Sequence, residues 1–153
     1  MFVCSGNSCR SQMAEGFARA AGIEAYSAGT EPAGYVHPLA MQVMAEKGID
    51  ISAQTSKELD LNLAKAMDAV ITVCGEADET CPAIPHVNRL HWLIPDPAKA
   101  TGTQEEILSV FRAVRDDIAR RMNEFLKEKI RIVNRGSRPN DFDNDHTSDT
   151  KTP

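Results

Sequence analysis

The chain has 153 residues, 42% hydrophobic and 25% charged, with a net charge of −5; that suits one domain with its own core and an ordinary soluble protein. No run of about 18 apolar residues is available to span a bilayer, no export leader is expected, and no basic stripe interleaved with aromatics invites nucleic acid. Four cysteines in a chain of this kind point to catalysis, redox chemistry or metal binding rather than to structural disulfides, and a cytoplasmic location is expected.

The apolar stub Met1-Phe2-Val3 reads as a first strand. It runs into Cys4-Ser5-Gly6-Asn7-Ser8-Cys9-Arg10-Ser11, and a helix follows with Met13, Ala14, Phe17 and Ala21 at helical spacing. Strand, loop and helix in that order are the setting of an anion cup: small residues let the backbone N–H groups converge on a tetrahedral oxyanion, and the helix adds its positive end. Ser5, Gly6, Asn7, Ser8, Cys9 and Arg10 are the expected anion-binding residues. Gly6 and Asn7 tolerate positive φ, Cys9 contributes its backbone N–H, and the planar fork of Arg10 suits two oxygens of one anion. Cys4 is the expected nucleophile. A nest, a helix N-terminus and a guanidinium together lower a thiol pKa from about 8.5 into the range of roughly 3.5 to 7.5, and the Ser11 hydroxyl is placed to hydrogen-bond the thiolate.

The rest of the chain alternates strand and helix. Ile23 to Ala28 reads as a strand closing at Gly29, a helix starts near His37 with Pro38 in its first turn and stops at Gly48, and a shorter helix fits Lys57 to Met67. Ala69 to Val73 is an apolar, β-branched run suited to a strand buried on both faces. Arg89 to Ile94 reads as a fourth strand before the turn Pro95-Asp96-Pro97. Thr103 and Glu106 form a capping box, and Ile107, Phe111, Val114, Ile118, Met122 and Phe125 then mark one face of a core-facing helix. Residues 1–130 are the expected catalytic domain, and the polar segment 131–153 reads as a disordered tail. The alternation predicts an α/β fold, a parallel sheet of four strands with helices on both faces. Cys4, Cys74 and Asp96 would then emerge together at the carboxyl ends of strands.

Cys81 lies seven residues after Cys74, with a polar segment between them. Zinc would have to recruit His86 and His91 as well, and the cysteine spacing is outside the usual range; no metal is predicted. Both cysteines could also be simple buried small hydrophobes, a reading that the polar segment between them argues against, and a thiol relay is a better account. If the cup holds an oxyanion whose central atom accepts two electrons, Cys74 attacks the Cys4 sulfur to release the reduced product. Cys81, on a polar loop not expected to be fully buried, exchanges with the resulting disulfide and carries it outward. Gly75 would be the hinge of that movement. Asp96 faces the same anion and is the expected proton donor, although an Asp-Pro pair also forms turns on its own account. His37, His86 and His91 read as loop or core histidines.

These residues closely resemble the thioredoxin-coupled arsenate reductases, which share the fold of low-molecular-weight tyrosine phosphatases. The resemblance rests on Cys4 through Gly16, Tyr26-Ser27-Ala28-Gly29, Val73-Cys74 through Cys81-Pro82, His91-Trp92 and Asp96-Pro97-Ala98. It implies reduction of arsenate to arsenite with Cys4 as nucleophile, Cys74 and Cys81 as redox relay, and Asp96 as proton donor and acceptor. The implied electron donor is reduced thioredoxin, with no bound cofactor, in an expected monomer. A phosphatase would use Cys4, Arg10 and Asp96 in the same way. Against it stand the relay cysteines and Ala98, where the resembling phosphatases carry an aromatic. Some relatives bind potassium through positions matching Asn7, Glu15, Ser27 and an acidic side chain; Lys57 stands at the last of these, where a lysine ammonium could replace the ion, and no metal is predicted.

Overall fold

The computed structural model describes residues 1–74, 81 and 87–136. Four short strands, β1 (Phe2–Cys4), β2 (Ser27–Gly29), β3 (Ala69–Thr72) and β4 (Asn88–His91), form one sheet. All pairings are parallel, in the order β2-β1-β3-β4. Successive residues of β1 and β2 are all buried, as strands covered on both faces require. β4 lies at the edge and is partly exposed.

The helices are α1 (Arg10–Ala20), α2 (Pro38–Ala45), α3 (Leu61–Lys65) and α4 (Gln104–Gly136), with a 3₁₀ turn at Pro97–Lys99. α1 has its core face at Met13, Ala14 and Ala18, whereas Ala21 is exposed beyond the helix end. Pro38 occupies the first turn of α2, as expected, and the His37 ring caps it by accepting from Leu39 N at 3.1 Å. The expected helix from Lys57 shrinks to α3 because Asp60 caps it, accepting from the N–H groups of Asn62 and Leu63. Residues 57–59 instead run beside β2, where Gly29 N donates to Lys57 O and Leu59 N to Gly29 O. The expected second strand is shorter as well, because pairing with β1 begins only at Ser27.

α4 matches the stripe predicted for it: Phe111, Val114, Ile118 and Met122 are buried, with Ile107 and Phe125 packed against the core. Thr103 Oγ1 accepts from Glu106 N at 3.2 Å, which is the cap. Buried Arg115 ties α4 to α2 through Val43 O at 2.9 Å and Glu46 at 2.8 Å. α4 continues to Gly136, into the segment read as tail from 131. An Arg131–Glu128 pair at 3.2 Å supports that last stretch, and no helix breaker precedes Gly136. The rest of the expected tail, 137–153, lies outside the described residues.

The order of the sheet sets the place of function. From β1 the chain crosses to β2 on one side and later returns to β3 on the other, so β1 is the point where the strand order reverses. A crevice opens at the carboxyl ends of the strands there, and Cys4 ends β1 while Cys74 follows β3.

Candidate active site

The loop after β1 is held from several directions. Thr30 N donates to Cys4 O, Glu31 N to Ser5 O, Ala33 N to Gly6 O and His37 N to Ser8 O, all between 2.8 and 3.1 Å. With its carbonyls so engaged, the loop can turn its N–H groups inward; Asn7 N lies 3.1 Å from Cys4 Sγ. The left-handed residue is Asn7 (φ 47°), while Gly6 has no positive φ. Gly29 is needed for approach: a Cβ there would lie 2.6 Å from Ser5 O. Cys9 is the N-cap of α1 with no side-chain capping bond, which leaves the first amides of the helix for an anion.

Cys4 Sγ is 2.8 Å from Ser11 Oγ. Asn7 Nδ2 donates to that hydroxyl at 2.8 Å, which leaves the Ser11 hydrogen available to a Cys4 thiolate. Arg10 is buried; it donates to Ile94 O at 3.0 Å and lies 3.7 Å from Asp96 Oδ2. Asp96 also forms the turn that its sequence suggested, with Oδ1 accepting from Ala98 N at 3.0 Å. The turn reading of Asp96 therefore holds on Oδ1, while Oδ2 is the oxygen that faces Arg10. Around these groups is a cavity of about 320 Å³, lined by Cys4, Ser5, Gly6, Ser8, Cys9, Arg10 and Asp96 together with Thr30, Glu31 and Lys99, which the sequence did not single out. Ala98 is exposed.

Burial dominates at Cys4 and pushes its thiol above the ordinary value, against the pull of the Ser11 hydroxyl, the Arg10 guanidinium and the Asn7 N–H. This corrects the expected depression. The tightness that aims donors at the sulfur also strips it of water. Cys9, likewise buried, is pushed up to about 12, chiefly by burial, in keeping with a role for its backbone alone.

Cys74 reaches the cup from the neighbouring strand, with Sγ 3.4 Å from Ser5 Oγ. None of the four cysteines is joined in a disulfide. Cys81 departs from expectation: it is only 4% exposed, and Arg89 of β4 holds its carbonyl at 2.8 Å. The polarity of the intervening segment did not determine the environment of its last residue. Gly75, the rest of 75–80, and 82–86 with His86 lie outside the described residues. Among the described residues no group of three potential ligands is placed to hold a metal. His37 packs on Phe111 with ring centroids 4.9 Å apart, and exposed His91 pairs with Thr72 Oγ1 at 2.9 Å.

Lys57 meets the cup through its backbone, donating to Asn7 Oδ1 at 2.8 Å, and its ammonium donates to Thr55 O at 2.5 Å. Glu15 is buried, 3.5 Å from Arg19. Burial raises its pKa while Lys57 and Arg19 oppose the rise.

The profile of the low molecular weight phosphotyrosine protein phosphatases matches residues 1–134. The chain belongs to this family. An arsenate reductase of Halalkalibacterium halodurans is 52% identical over 128 residues, 81% of this chain and 91% of the relative. Among solved structures, an arsenate reductase in a phosphate-binding state superposes with a TM-score of 0.66 at 37% identity, covering 84% of this chain and 95% of that one. A thioredoxin-dependent arsenate reductase of Corynebacterium glutamicum also superposes with a TM-score of 0.66, at 30% identity, over 83% of this chain and 59% of its own. The four-stranded parallel sheet is thus the family's fold, and the chain's relatives in it include reductases of arsenate.

Proposed function

We propose that this protein reduces arsenate to arsenite through Cys4, Cys74 and Cys81, with reduced thioredoxin as electron donor, in arsenic detoxification. The observation that carries the reading is the approach of Cys74 to the cup: a second thiol stands beside the nucleophile's loop, bridged by Ser5 at 3.4 Å. Hydrolysis of a phosphate ester has no use for it. The identity to arsenate reductases supports the same substrate.

In this reading the loop amides and Arg10 hold arsenate, and the Cys4 thiolate bonds to arsenic. One oxygen leaves as water, protonated from Asp96. Buried Cys4 begins as a thiol, and its proton passes to the arsenate dianion as the anion docks. The Cys74 thiolate then attacks Cys4 Sγ. The S–As bonding pair stays on arsenic, which departs as arsenite, and a Cys4–Cys74 disulfide remains. Attack by Cys81 on Cys74 moves the disulfide to that pair and frees Cys4, and a thioredoxin dithiol reduces it. Because Cys81 is buried, the last exchange requires its segment to move. Reducing cytoplasm is the fitting compartment. The cup also supports weak phosphate-ester hydrolysis through Cys4, Arg10 and Asp96, held low by the missing aromatic wall at Ala98.

The test is NADPH oxidation after arsenate is added to the protein with thioredoxin and thioredoxin reductase. Arsenate-dependent oxidation is expected. Its absence in a preparation that still hydrolyses a phosphate ester would replace this reading with the phosphatase one.

A further inference from the structure

We infer that Gln12 and Gln54 form an amide clamp that fixes Asn7 and, through it, aims the Ser11 hydroxyl at Cys4. The inference rests on the reading of Cys4 as nucleophile and makes both glutamines positioning residues. Gln12 sits in the first turn of α1 and is fully buried. A primary amide brings two donors and an acceptor into that interior, and each needs a partner. Its Nε2 lies 3.0 Å from Asn7 O, 3.0 Å from Asn7 Oδ1 and 2.9 Å from Thr55 O. Two hydrogens thus serve three acceptors, one forked between the two oxygens of Asn7. Gln12 Oε1 accepts from Gln54 Nε2 at 2.8 Å, and the same nitrogen lies 3.0 Å from Gln12 O.

The consequence falls on the orientation of Asn7. Its Oδ1 is claimed by Gln12 and by Lys57 N at 2.8 Å, so its Nδ2 must face the other way. There it donates to Ser11 Oγ at 2.8 Å and Ser27 Oγ at 3.0 Å. Ser11 Oγ, already an acceptor, has its hydrogen left for Cys4 Sγ at 2.8 Å. Gln12 also grips the carbonyl of Asn7, the one described non-glycine residue in the left-handed region, a conformation that persists only where the surroundings impose it. An unbroken chain of hydrogen bonds, through three side-chain amides and the Ser11 hydroxyl, thus leads from the 54–57 segment to Cys4. A packing role alone would call for an apolar side chain at this buried position, since a primary amide there adds a desolvation cost that only a complete set of partners offsets.

The experiment measures alkylation of Cys4 by iodoacetamide against pH, with the Cys4 peptide followed by mass spectrometry and thermal unfolding recorded in parallel. Gln12→Met keeps the side chain's length and removes its donors. It should move the alkylation midpoint up by about 0.5 to 1 pH unit, the size of one lost hydrogen bond to the thiolate. Gln54→Met should move it less in the same direction, and the double variant should move it no further than Gln12→Met alone, because both act through one chain of contacts. A lowered melting temperature with the Cys4 midpoint at its wild-type value would reduce Gln12 to a structural residue and overturn the inference. If Gln12→Met does not fold, partly exposed Gln54 carries the test, and an unmoved midpoint in Gln54→Met overturns the clamp equally. The assay contains no arsenate, so its outcome is separate from that of the reductase reading.

Discussion

The cup at the end of β1 and the thiols proposed to serve it differ in how the chain supplies them. Cys4 to Ser11 are fastened by backbone bonds from residues 30–37, by Asn7, and by the α1 N-terminus. Among the described residues no buried side-chain nitrogen or oxygen is left without a hydrogen-bond partner. The relay thiols come from other parts of the chain: Cys74 follows β3 and lies 3.4 Å from Ser5, and Arg89 of β4 donates to the Cys81 carbonyl. The contrast follows from the chemistry proposed for each. An oxyanion is stabilised by donors that need no reorganisation as the reaction proceeds, whereas thiol exchange requires each sulfur to approach a new partner in turn.

The sharpest break in this comparison is Cys4→Ser. Arsenate reduction and phosphate-ester hydrolysis should both vanish, because a serine hydroxyl is far less acidic than a thiol and does not yield its proton to the docking anion; assays of both activities on one preparation decide it, and retained hydrolysis would place the chemistry elsewhere. The relay variants should separate the two regions. Cys74→Ser should hold arsenate at Cys4 without releasing arsenite yet keep ester hydrolysis. Cys81→Ser should yield one arsenite per enzyme and stall as a Cys4–Cys74 disulfide. Single-turnover arsenite counts with disulfide mapping measure both, and steady thioredoxin-coupled turnover in either variant contradicts the three-cysteine route.

Smaller effects sharpen the description of the cup. Asp96→Asn keeps an acceptor for Ala98 N and removes the acid, so turnover should fall by roughly 10² to 10⁴ while oxyanion affinity is retained; kcat and a phosphate inhibition constant, measured together, test the split. The smallest effect is on stability. The Cys9 pKa of about 12 in the folded protein lies above that of an unfolded thiol, about 8.5, so the folded state binds this proton more tightly. Its contribution is complete below about pH 8.5 and is lost as pH rises toward 12, at up to about 1.4 kcal/mol per pH unit. Denaturant midpoints between pH 8 and 10.5 should fall less steeply in Cys9→Ala than in the wild type. Equal slopes would remove Cys9 from the alkaline transition.

The sequence by itself determined what depends on local pattern and residue chemistry. A cysteine, small residues and a guanidinium ahead of an amphipathic stretch define a cup on a helix; the spacing from Ile107 to Phe125 defines the core face of α4; Pro38 and Thr103 mark helix starts. Only the tertiary structure decided which distant segments meet. Periodicity carries no information on strand order, and it is the placement of β3 beside β1 that brings Cys74 to Ser5. Burial of Cys4 and Cys81 likewise comes from neighbours supplied by packing, so neither the rise of the Cys4 pKa nor the covering of Cys81 could be read from flanking residues. Gln12 and Gln54 appear in the sequence as ordinary polar residues, and their joint grip on Asn7 exists only because the chain from Ile51 to Lys57 folds back against α1 and the cup. A buried amide finds its partners across the fold, where sequence spacing does not reach.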